Sequence, residues 1–387
     1  MAWPDIRPGL PSAAARPSLL GFFVQRHWIS TSSRRKLTKH FPTRAPAFVP
    51  APGSPLGPER RFLTSFVRGD SVDLLDDAKP LAVHGELLLL RVSPCPWDKN
   101  DVLRLCVCDL LTGNRDLLAP LEVAAFFGGE GVRGYALLTA ADHSGAAGLH
   151  APADGYSTFF QVLVLGGARQ ERQLRLLRFS SAATAAAPSQ IWSAHDCGIH
   201  LWGPYGCCIA AVTRGTAHWF FCSNDPELPS LYTLDVSAST GCVSATMLPL
   251  DVLPGVVLGE LSNAWLSTSV EERLSLLYVN NNRLTIWEQR DGDQDGTLVW
   301  HLTDVVEVDV EQRLLGTASL SFVCVGEKSG TMLALYHSDP ECAYMLDLQS
   351  GSATKVEGWT RWFNYMTAVP FEINWQMFFT TPLGVQL

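Results

Sequence analysis

Short apolar segments alternate with polar, turn-forming clusters along most of the chain. The apolar segments are rich in Val, Leu, Phe, Tyr and Trp, and clusters of Gly, Asp, Asn, Ser or Pro separate them. This pattern is typical of β-strands and turns. Strands are predicted over 86–92, 102–108, 159–165, 173–179, 217–222, 231–234, 274–279, 283–287, 332–336 and 344–346. Because no long helical segments alternate with these strands, a parallel α/β sheet is not expected.

An internal repeat organises the predicted strands. A strand ending in Asp, followed by a turn ending in Thr-Gly or Ser-Gly, occurs at Asp109–Gly113 and Asp347–Gly351, and with two extra residues at Asp235–Gly241. Asp can accept hydrogen bonds from turn amides, and Gly adopts the positive φ that other residues resist, so each copy predicts a β-hairpin. Upstream of each copy, a glycine precedes an apolar strand, at positions 85, 215 and 330.

The spacing of the turns predicts the architecture. Two weaker turns, at 166–167 and 290–296, complete a period of about 60 residues, somewhat longer than the kelch repeat of about 50 residues. Four short strands with loops fit this length, and radial packing buries both faces of such a unit. The sequence therefore predicts an all-β, kelch-like β-propeller of about six four-stranded blades, within a range of five to eight. A set of β-sandwiches, at about 100 residues each, is the alternative.

The order of several motifs resembles the propeller of plant F-box proteins, especially those of the grass families. The runs that carry this resemblance are His84–Arg91, Leu105–Leu118, Arg214–Trp219, Arg273–Trp287, Gly326–Thr331 and Tyr344–Asp347. Residues 19–25 are similar to the segment that follows an F-box, and the resemblance covers roughly residues 19–370. It implies a propeller that binds substrate proteins for a ubiquitin ligase.

The F-box of that family is a helical segment that opens with a Leu-Pro-x-Asp-like motif and docks on the adaptor of a cullin-based ligase. Residues 1–18 contain four prolines and no amphipathic pattern, so the F-box is expected to be absent and binding to the adaptor cannot be assumed. The predicted organisation is a disordered N-terminal remnant at 1–18, a basic, Pro-rich segment at 19–80 that contributes strands to the closing blade, and the propeller at 81–387.

Composition and charge narrow the classes of function. Only 17% of residues are charged and 47% are apolar, whereas globular domains average about 25% charged residues. A disordered chain is excluded, and the net charge of −9 argues against a nucleic-acid partner. No uncharged apolar run reaches the length of about 20 residues that a membrane helix needs, so no membrane partner is expected.

Charged residues are unevenly distributed along the chain, and this distribution bears on where in the cell the protein is located. Residues 1–61 contain ten basic and two acidic residues, a bias found in organellar transit peptides as well as in loop-rich segments. The ten cysteines lie mostly in apolar segments that are predicted to form strands. Because this pattern does not indicate a disulfide framework, it favours a reducing compartment. We expect a cytoplasmic or nuclear protein, with an organellar location as the alternative.

Three patterns suggest chemistry, and each has a plainer interpretation. The acidic run 291–296 matches the opening of a calcium loop, but the twelfth position is Leu302 rather than Glu, so an acidic hairpin loop is expected. The GxGxxG run at 129–134 is followed by a sequence typical of a β-strand, although a dinucleotide site needs a helix there. A zinc site would draw on His195, Cys197, His200, Cys207 and Cys208, but their spacing lacks the paired ligands of structural zinc.

The leading hypothesis is a non-enzymatic propeller that binds a protein partner. Trp97, Trp202 and Tyr205 are the candidate anchors, because they lie in Pro/Gly-rich loops and such side chains dominate interface energies. Trp219 and Trp287 are expected to fill the space between blades. The alternative is an organelle-targeted propeller enzyme, for example one like a glycoside hydrolase, which needs two carboxylates about 5 to 9 Å apart. No catalytic residue, cofactor or metal site is assigned.

Overall fold

The computed structural model describes most of the chain between residues 18 and 373. The described ranges are 18–26, 43–56, 60–68, 72–92, 102–127, 131–143, 159–168, 173–181, 192–200, 209–222, 230–248, 264–269, 271–280, 283–291, 298–307, 320–336 and 339–373. No helix in these ranges is long and apolar enough to cross a membrane.

Twenty-five strands and a few single-turn helices make up the described residues. The strands are β1 (Ser18–Arg26), β2 (Ala47–Pro50), β3 (Lys79–His84), β4 (Leu87–Arg91), β5 (Val102–Leu103), β6 (Leu105–Asp109), β7 (Arg115–Leu117), β8 (Leu121–Glu122), β9 (Val132–Thr139), β10 (Phe160–Ala168), β11 (Gln173–Ser180), β12 (Ser193–His200), β13 (Ala211–Thr213), β14 (Thr216–Cys222), β15 (Leu231–Ser237), β16 (Val243–Leu248), β17 (Ala264–Thr268), β18 (Leu274–Asn280), β19 (Arg283–Asp291), β20 (Leu298–Glu307), β21 (Leu320–Val325), β22 (Thr331–Tyr336), β23 (Asp339–Asp347), β24 (Ala353–Lys355) and β25 (Phe363–Ile373). The helices are α1 (Val123–Phe127) and α2 (Ala140–His143), with 3₁₀ turns at Leu63–Ser65 and Val72–Leu75.

These strands form a six-bladed β-propeller of antiparallel sheets, as the repeat predicts. Blade 1 is β3-β4-β6-β7, and blades 2 to 5 are β9–β12, β13–β16, β17–β20 and β21–β24. Strands β5 and β8 pair with each other in a separate two-stranded sheet. Blade 6 closes the ring with β25, β1 and β2, so that strands from the two ends of the described chain share one sheet, with Gly21 opposite Phe371.

The repeated Asp turn connects the third and fourth strands of a blade. The Asp109 carboxylate accepts hydrogen bonds from the amides of Leu111 (2.9 Å) and Thr112 (3.0 Å). Asp347 holds the equivalent turn in blade 5. In blade 3 the two extra residues shift the turn: the carbonyl of Ser237 accepts the Gly241 amide. Asp235 therefore stays in the strand, where it contacts another side chain.

The apolar core lies between neighbouring blades. Trp219 of blade 3 is 2% exposed and packs in one cluster with Leu163 and Leu176 of blade 2. Trp287 is partly buried and packs against the cluster that joins blades 3 and 4. The interblade position predicted for both tryptophans is confirmed. The division of the chain at residues 18 and 80 stays a prediction.

Candidate functional site

The innermost strands of the six blades end at one mouth of the central channel. These strands are β3, β9, β13, β17, β21 and β25, and they line a common cavity. A parallel bridge between Tyr135 and Ile209 shows that neighbouring inner strands run in the same direction. Their carboxyl ends, and the turns that follow them, therefore bring polar residues from all parts of the chain together.

His84, the last residue of β3, lies between two carboxylates at this mouth. Its Nε2 is 2.9 Å from Oδ2 of Asp142, and its Nδ1 contacts Oε1 of Glu327. Asp142 belongs to α2, directly after the inner strand of blade 2, and Glu327 follows the inner strand of blade 5. Burial alone would lower the pKa of His84, but Glu327 and Asp142 outweigh it and raise the pKa well above its usual value.

Asp142 is fixed by its own blade as well as by His84. Its Oδ2 accepts hydrogen bonds from the amide (2.7 Å) and the hydroxyl (2.9 Å) of Thr139. Burial raises the pKa of Asp142, yet His84 and the Thr139 hydrogen bonds more than offset this and lower it to about 2. Asp142 is therefore a carboxylate at neutral pH.

A second group of charged side chains lies at the same mouth and connects blades 4, 5 and 6. Lys328 Nζ is 3.0 Å from Oε1 of Glu272, which joins blade 5 to blade 4. Glu372, near the end of β25, accepts hydrogen bonds from the amides of Lys328 (2.7 Å) and Ser329 (3.2 Å). Burial raises the pKa of Glu372 to about 7 despite these hydrogen bonds.

We call these six side chains the polar rim. It consists of His84, Asp142, Glu272, Glu327, Lys328 and Glu372. A hydrogen bond from the Thr213 hydroxyl to the Glu272 carbonyl adds blade 3, so every blade contributes a contact at this mouth. The rim holds four acidic and two basic side chains, most of which already contact one another.

The cavity beneath the rim is small and mainly apolar. Its volume is about 60 Å³. At least one apolar residue from each blade lines its wall, for example Val83, Leu137, Val212, Trp265, Val325 and Val369. Its polar lining comes from His84, Glu327, Ser267 and Thr268, which lie towards the rim. The cavity therefore has an apolar interior and a charged end.

The structure does not describe the partner-binding residues predicted from sequence. Trp97, Trp202 and Tyr205 are outside the described residues, so their role stays a prediction. Residues 292–296 of the calcium-like run are outside the described residues too, as are Cys207 and Cys208 of the zinc candidate.

The described parts of the GxGxxG run and of the zinc candidate have structural explanations. The residues that follow the GxGxxG run belong to strand β9, whereas a dinucleotide site needs a helix at this position. Cys197 is buried in the core between blades 2 and 3, whereas His195 is exposed. Among the described residues, no group of three or more His, Cys, Asp or Glu side chains could hold a metal ion.

The polar rim was missed from sequence, although a signal for it exists. The glycines at 85, 215 and 330 mark the turn between the first and second strands of a blade. The residues just before these glycines, such as His84 and Lys328, therefore lie at the channel mouth. Asp142 and Glu372 have no such marker, because α2 and β25 lie outside the repeated motif.

No protein-family model matches the chain, and no curated protein matches it. Solved structures match it distantly. A quinonprotein alcohol dehydrogenase-like protein from Bacteroides thetaiotaomicron is 10% identical, with a TM-score of 0.42 over 92% of this chain and 78% of that chain. The β-propeller domain of the Trilobed protease from Pyrococcus furiosus is 8% identical, with a TM-score of 0.34 over 72% of this chain and 79% of its own.

An α-L-arabinofuranosidase, Arb93A from Fusarium graminearum, is 8% identical, with a TM-score of 0.35 over 71% of this chain and 78% of its own. At such identities and TM-scores these similarities say nothing about the activity of this chain.

Proposed function

We propose that this propeller is a protein-binding module that recognises its partner at the face bearing the polar rim. The proposal includes the role implied by the sequence resemblance, which is substrate recognition of the kind performed by the propeller of F-box ubiquitin-ligase receptors. Recognition, rather than catalysis, is the task of the site.

The observation that carries the proposal is the engagement of the rim carboxylates by the protein itself. Asp142 receives hydrogen bonds from Thr139 and His84, and Glu372 receives them from two backbone amides. Groups held in this way have fixed positions at the mouth of the channel. Fixed polar groups around a partly apolar depression are typical of interaction surfaces, where charge directs the choice of partner.

The enzyme alternative requires a different arrangement. A glycoside hydrolase needs an acid and a second carboxylate that face the same substrate-filled space. Of the described residues that line the cavity, Glu327 is the one carboxylate, and its Oε1 contacts His84. This lining supports recognition over glycoside hydrolysis.

The test is capture of a stoichiometric partner by the full chain, with two matched double variants. Glu272→Ala/Lys328→Ala removes a half-exposed ion pair from the rim. Glu341→Ala/Arg361→Ala removes an exposed ion pair between β23 and the residues just before β25, whereas Glu372 lies near the other end of β25. We expect a partner that remains with the control and is depleted from the rim variant.

Two further results would decide among the interpretations. Ligase subunits among the captured proteins would support the receptor role. Hydrolysis of a panel of aryl glycosides, lost in Glu327→Gln, together with the absence of any stoichiometric partner, would contradict the proposal.

A further inference from the structure

The cavity beneath the polar rim has room for one small side chain. One water needs at least 10 to 15 Å³ measured in this way, so the volume of about 60 Å³ holds roughly four to six non-hydrogen atoms. A leucine side chain, with its four carbon atoms, is of this size, whereas the aromatic side chains are larger. Drug-sized ligands occupy sites of several hundred Å³ and do not fit.

The charged and apolar parts of the site follow one another in depth. His84 and Glu327 lie at the mouth. Val83 comes directly before His84 on β3, and Val325 is the last residue of β21. Leu137 lies deeper, two positions before the end of β9. A group that enters from the rim therefore passes the charged side chains first and comes to rest against apolar walls, so its leading end must be apolar.

The charges at the rim are not balanced. Two carboxylates, Asp142 and Glu327, share the single imidazole of His84. The nearby ammonium of Lys328 is already 3.0 Å from a third carboxylate, that of Glu272. These contacts leave an excess of one negative charge at the mouth, even with the imidazole protonated. A cation that stays at the rim would balance it.

Two carboxylate oxygens at the rim accept no hydrogen bond from any residue in the described part of the chain. Asp142 uses Oδ2 for His84 and Thr139, which leaves Oδ1. Glu327 uses Oε1 for His84, which leaves Oε2. The Asp142 and Glu327 side chains are only 11% and 21% exposed. Both oxygens are thus available to a cationic donor, and hydrogen bonds between charged groups are among the strong ones.

We propose that the cavity and the rim bind the N-terminal residue of the partner protein, with a leucine-like side chain in the cavity and the α-ammonium at the rim. Both groups leave the same Cα atom, so the side chain packs against Val83 and Val325 while the ammonium donates hydrogen bonds to Asp142 and Glu327. Capture of a terminal amine is a known mode of peptide recognition. An internal leucine has an uncharged amide in its place and leaves the excess charge unbalanced. This inference rests on the proposed function and specifies the chemistry of the partner.

The test is calorimetric titration of the full chain with four peptides at about pH 7, where most α-amines are protonated. Leu-Ala-Ala-Ala-amide supplies both groups, and its N-acetylated form lacks the charge. Gly-Ala-Ala-Ala-amide lacks the apolar side chain, and Trp-Ala-Ala-Ala-amide has one that is larger than the cavity. We expect the first peptide to bind and each of the others to bind at least about tenfold more weakly, because a hydrogen bond between charged groups and the burial of a leucine side chain each contribute that much.

Three variants of the protein assign the two parts of the site. Glu327→Gln keeps the shape of the side chain and removes its charge, so it should weaken Leu-Ala-Ala-Ala-amide about tenfold. Val325→Phe adds volume to the cavity wall without altering a charge, and it should weaken the same peptide at least as much. Glu341→Gln changes an exposed carboxylate away from the rim and should leave binding unchanged. Circular dichroism of each variant establishes that the fold is retained.

No binding of Leu-Ala-Ala-Ala-amide at millimolar concentrations, equal binding of its acetylated form, or equal binding to all four proteins would overturn the inference. These outcomes are distinct from failure of the proposed function. A partner that is captured through the rim and is insensitive to Glu327→Gln would leave the protein-binding role intact and remove the N-terminal residue. Peptide binding that follows the expected order, without any captured partner, would refute the proposed function.

Discussion

His84 of blade 1 and Glu327 of blade 5 are in direct contact, although 243 positions separate them in the sequence and blade 6 lies between their blades in the ring. The closing sheet joins the two ends of the described chain through backbone hydrogen bonds. The contact between His84 and Glu327 therefore adds a second, electrostatic connection across the same part of the ring, and it does so at the mouth of the channel.

Replacement of His84 by alanine should destabilise the propeller by about 3 kcal/mol. The variant leaves Asp142 and Glu327 without their shared cation, and unpaired carboxylates that are partly buried cost several kcal/mol. Chemical denaturation, followed by tryptophan fluorescence, measures the change. His195→Ala is the control, because His195 is exposed on β12. A loss no larger than that of the control would show that the contact contributes nothing.

The stability of the protein should fall between about pH 4.5 and pH 7, in part because of Glu372. Its pKa is raised to about 7 in the folded state, whereas an unfolded glutamate titrates near 4.3. The folded protein thus binds the proton more tightly, so the stabilisation is complete below the unfolded pKa and is lost as the pH rises through the folded one. The raised pKa of His84 acts with the same sign, beginning above about 6.5.

Glu372→Gln isolates the first of these contributions, because glutamine resembles the protonated carboxyl. Denaturation midpoints of the wild type and the variant should change in parallel below pH 4.5 and separate as the pH approaches 7, with the variant the more stable by about 3 kcal/mol at most. His84 remains in both proteins and cancels from the difference. Parallel curves over the whole range would contradict a raised pKa at Glu372.

Gly215→Ala should cost more stability than Gly85→Ala, although both glycines occupy equivalent turns. Each has a positive φ, 73° and 58°, so each alanine carries a similar backbone strain of about 1 kcal/mol. A Cβ at Gly85 meets nothing within 4 Å, whereas one at Gly215 lies 2.2 Å from the carbonyl oxygen of Asp142. Thermal unfolding of the two variants gives the comparison, and equal losses would mean that α2 moves away without cost.

The architecture was predictable from the sequence because it depends on local chemistry that repeats. Asp109 and Asp347 each bind the amides of their own turn, and this interaction needs only residues two and three positions away. The prediction for the third copy was wrong in one detail, because Asp235 does not hold its turn but contacts Nδ1 of His218 at 2.7 Å. The sequence shows the two extra residues of this turn, but it does not show that Ser237 replaces Asp235 as the residue that binds the turn amides.

The polar rim could not be assembled from the sequence, because its contacts depend on how the ring closes. His84 of blade 1 meets Glu327 of blade 5 across the closing sheet of a six-bladed ring. The spacing of the repeat left this number open by one or more blades. The burial of Glu372 could not be predicted either. Its pKa is raised because it is buried beneath the turn that contains Lys328, and the pattern of residue types along the chain does not show which carboxylates are buried in this way.

Phe23→Ala tests whether the packing of the closing blade determines the free energy of unfolding of the propeller. Phe23 lies on β1, is fully buried, and packs against the rings of Phe48, Phe66 and Phe371 at centroid distances of 5.0, 5.2 and 5.8 Å. Its truncation should cost about 4 kcal/mol, because a large cavity remains between blades 6 and 1. Met366→Ala, on the partner strand β25, removes a side chain that is 79% exposed and should change stability by less than about 0.5 kcal/mol. Urea denaturation of both variants makes the comparison. If Phe23→Ala unfolds at the same urea concentration as Met366→Ala, the packing of β1 against β25 and β2 is not what holds the ring closed.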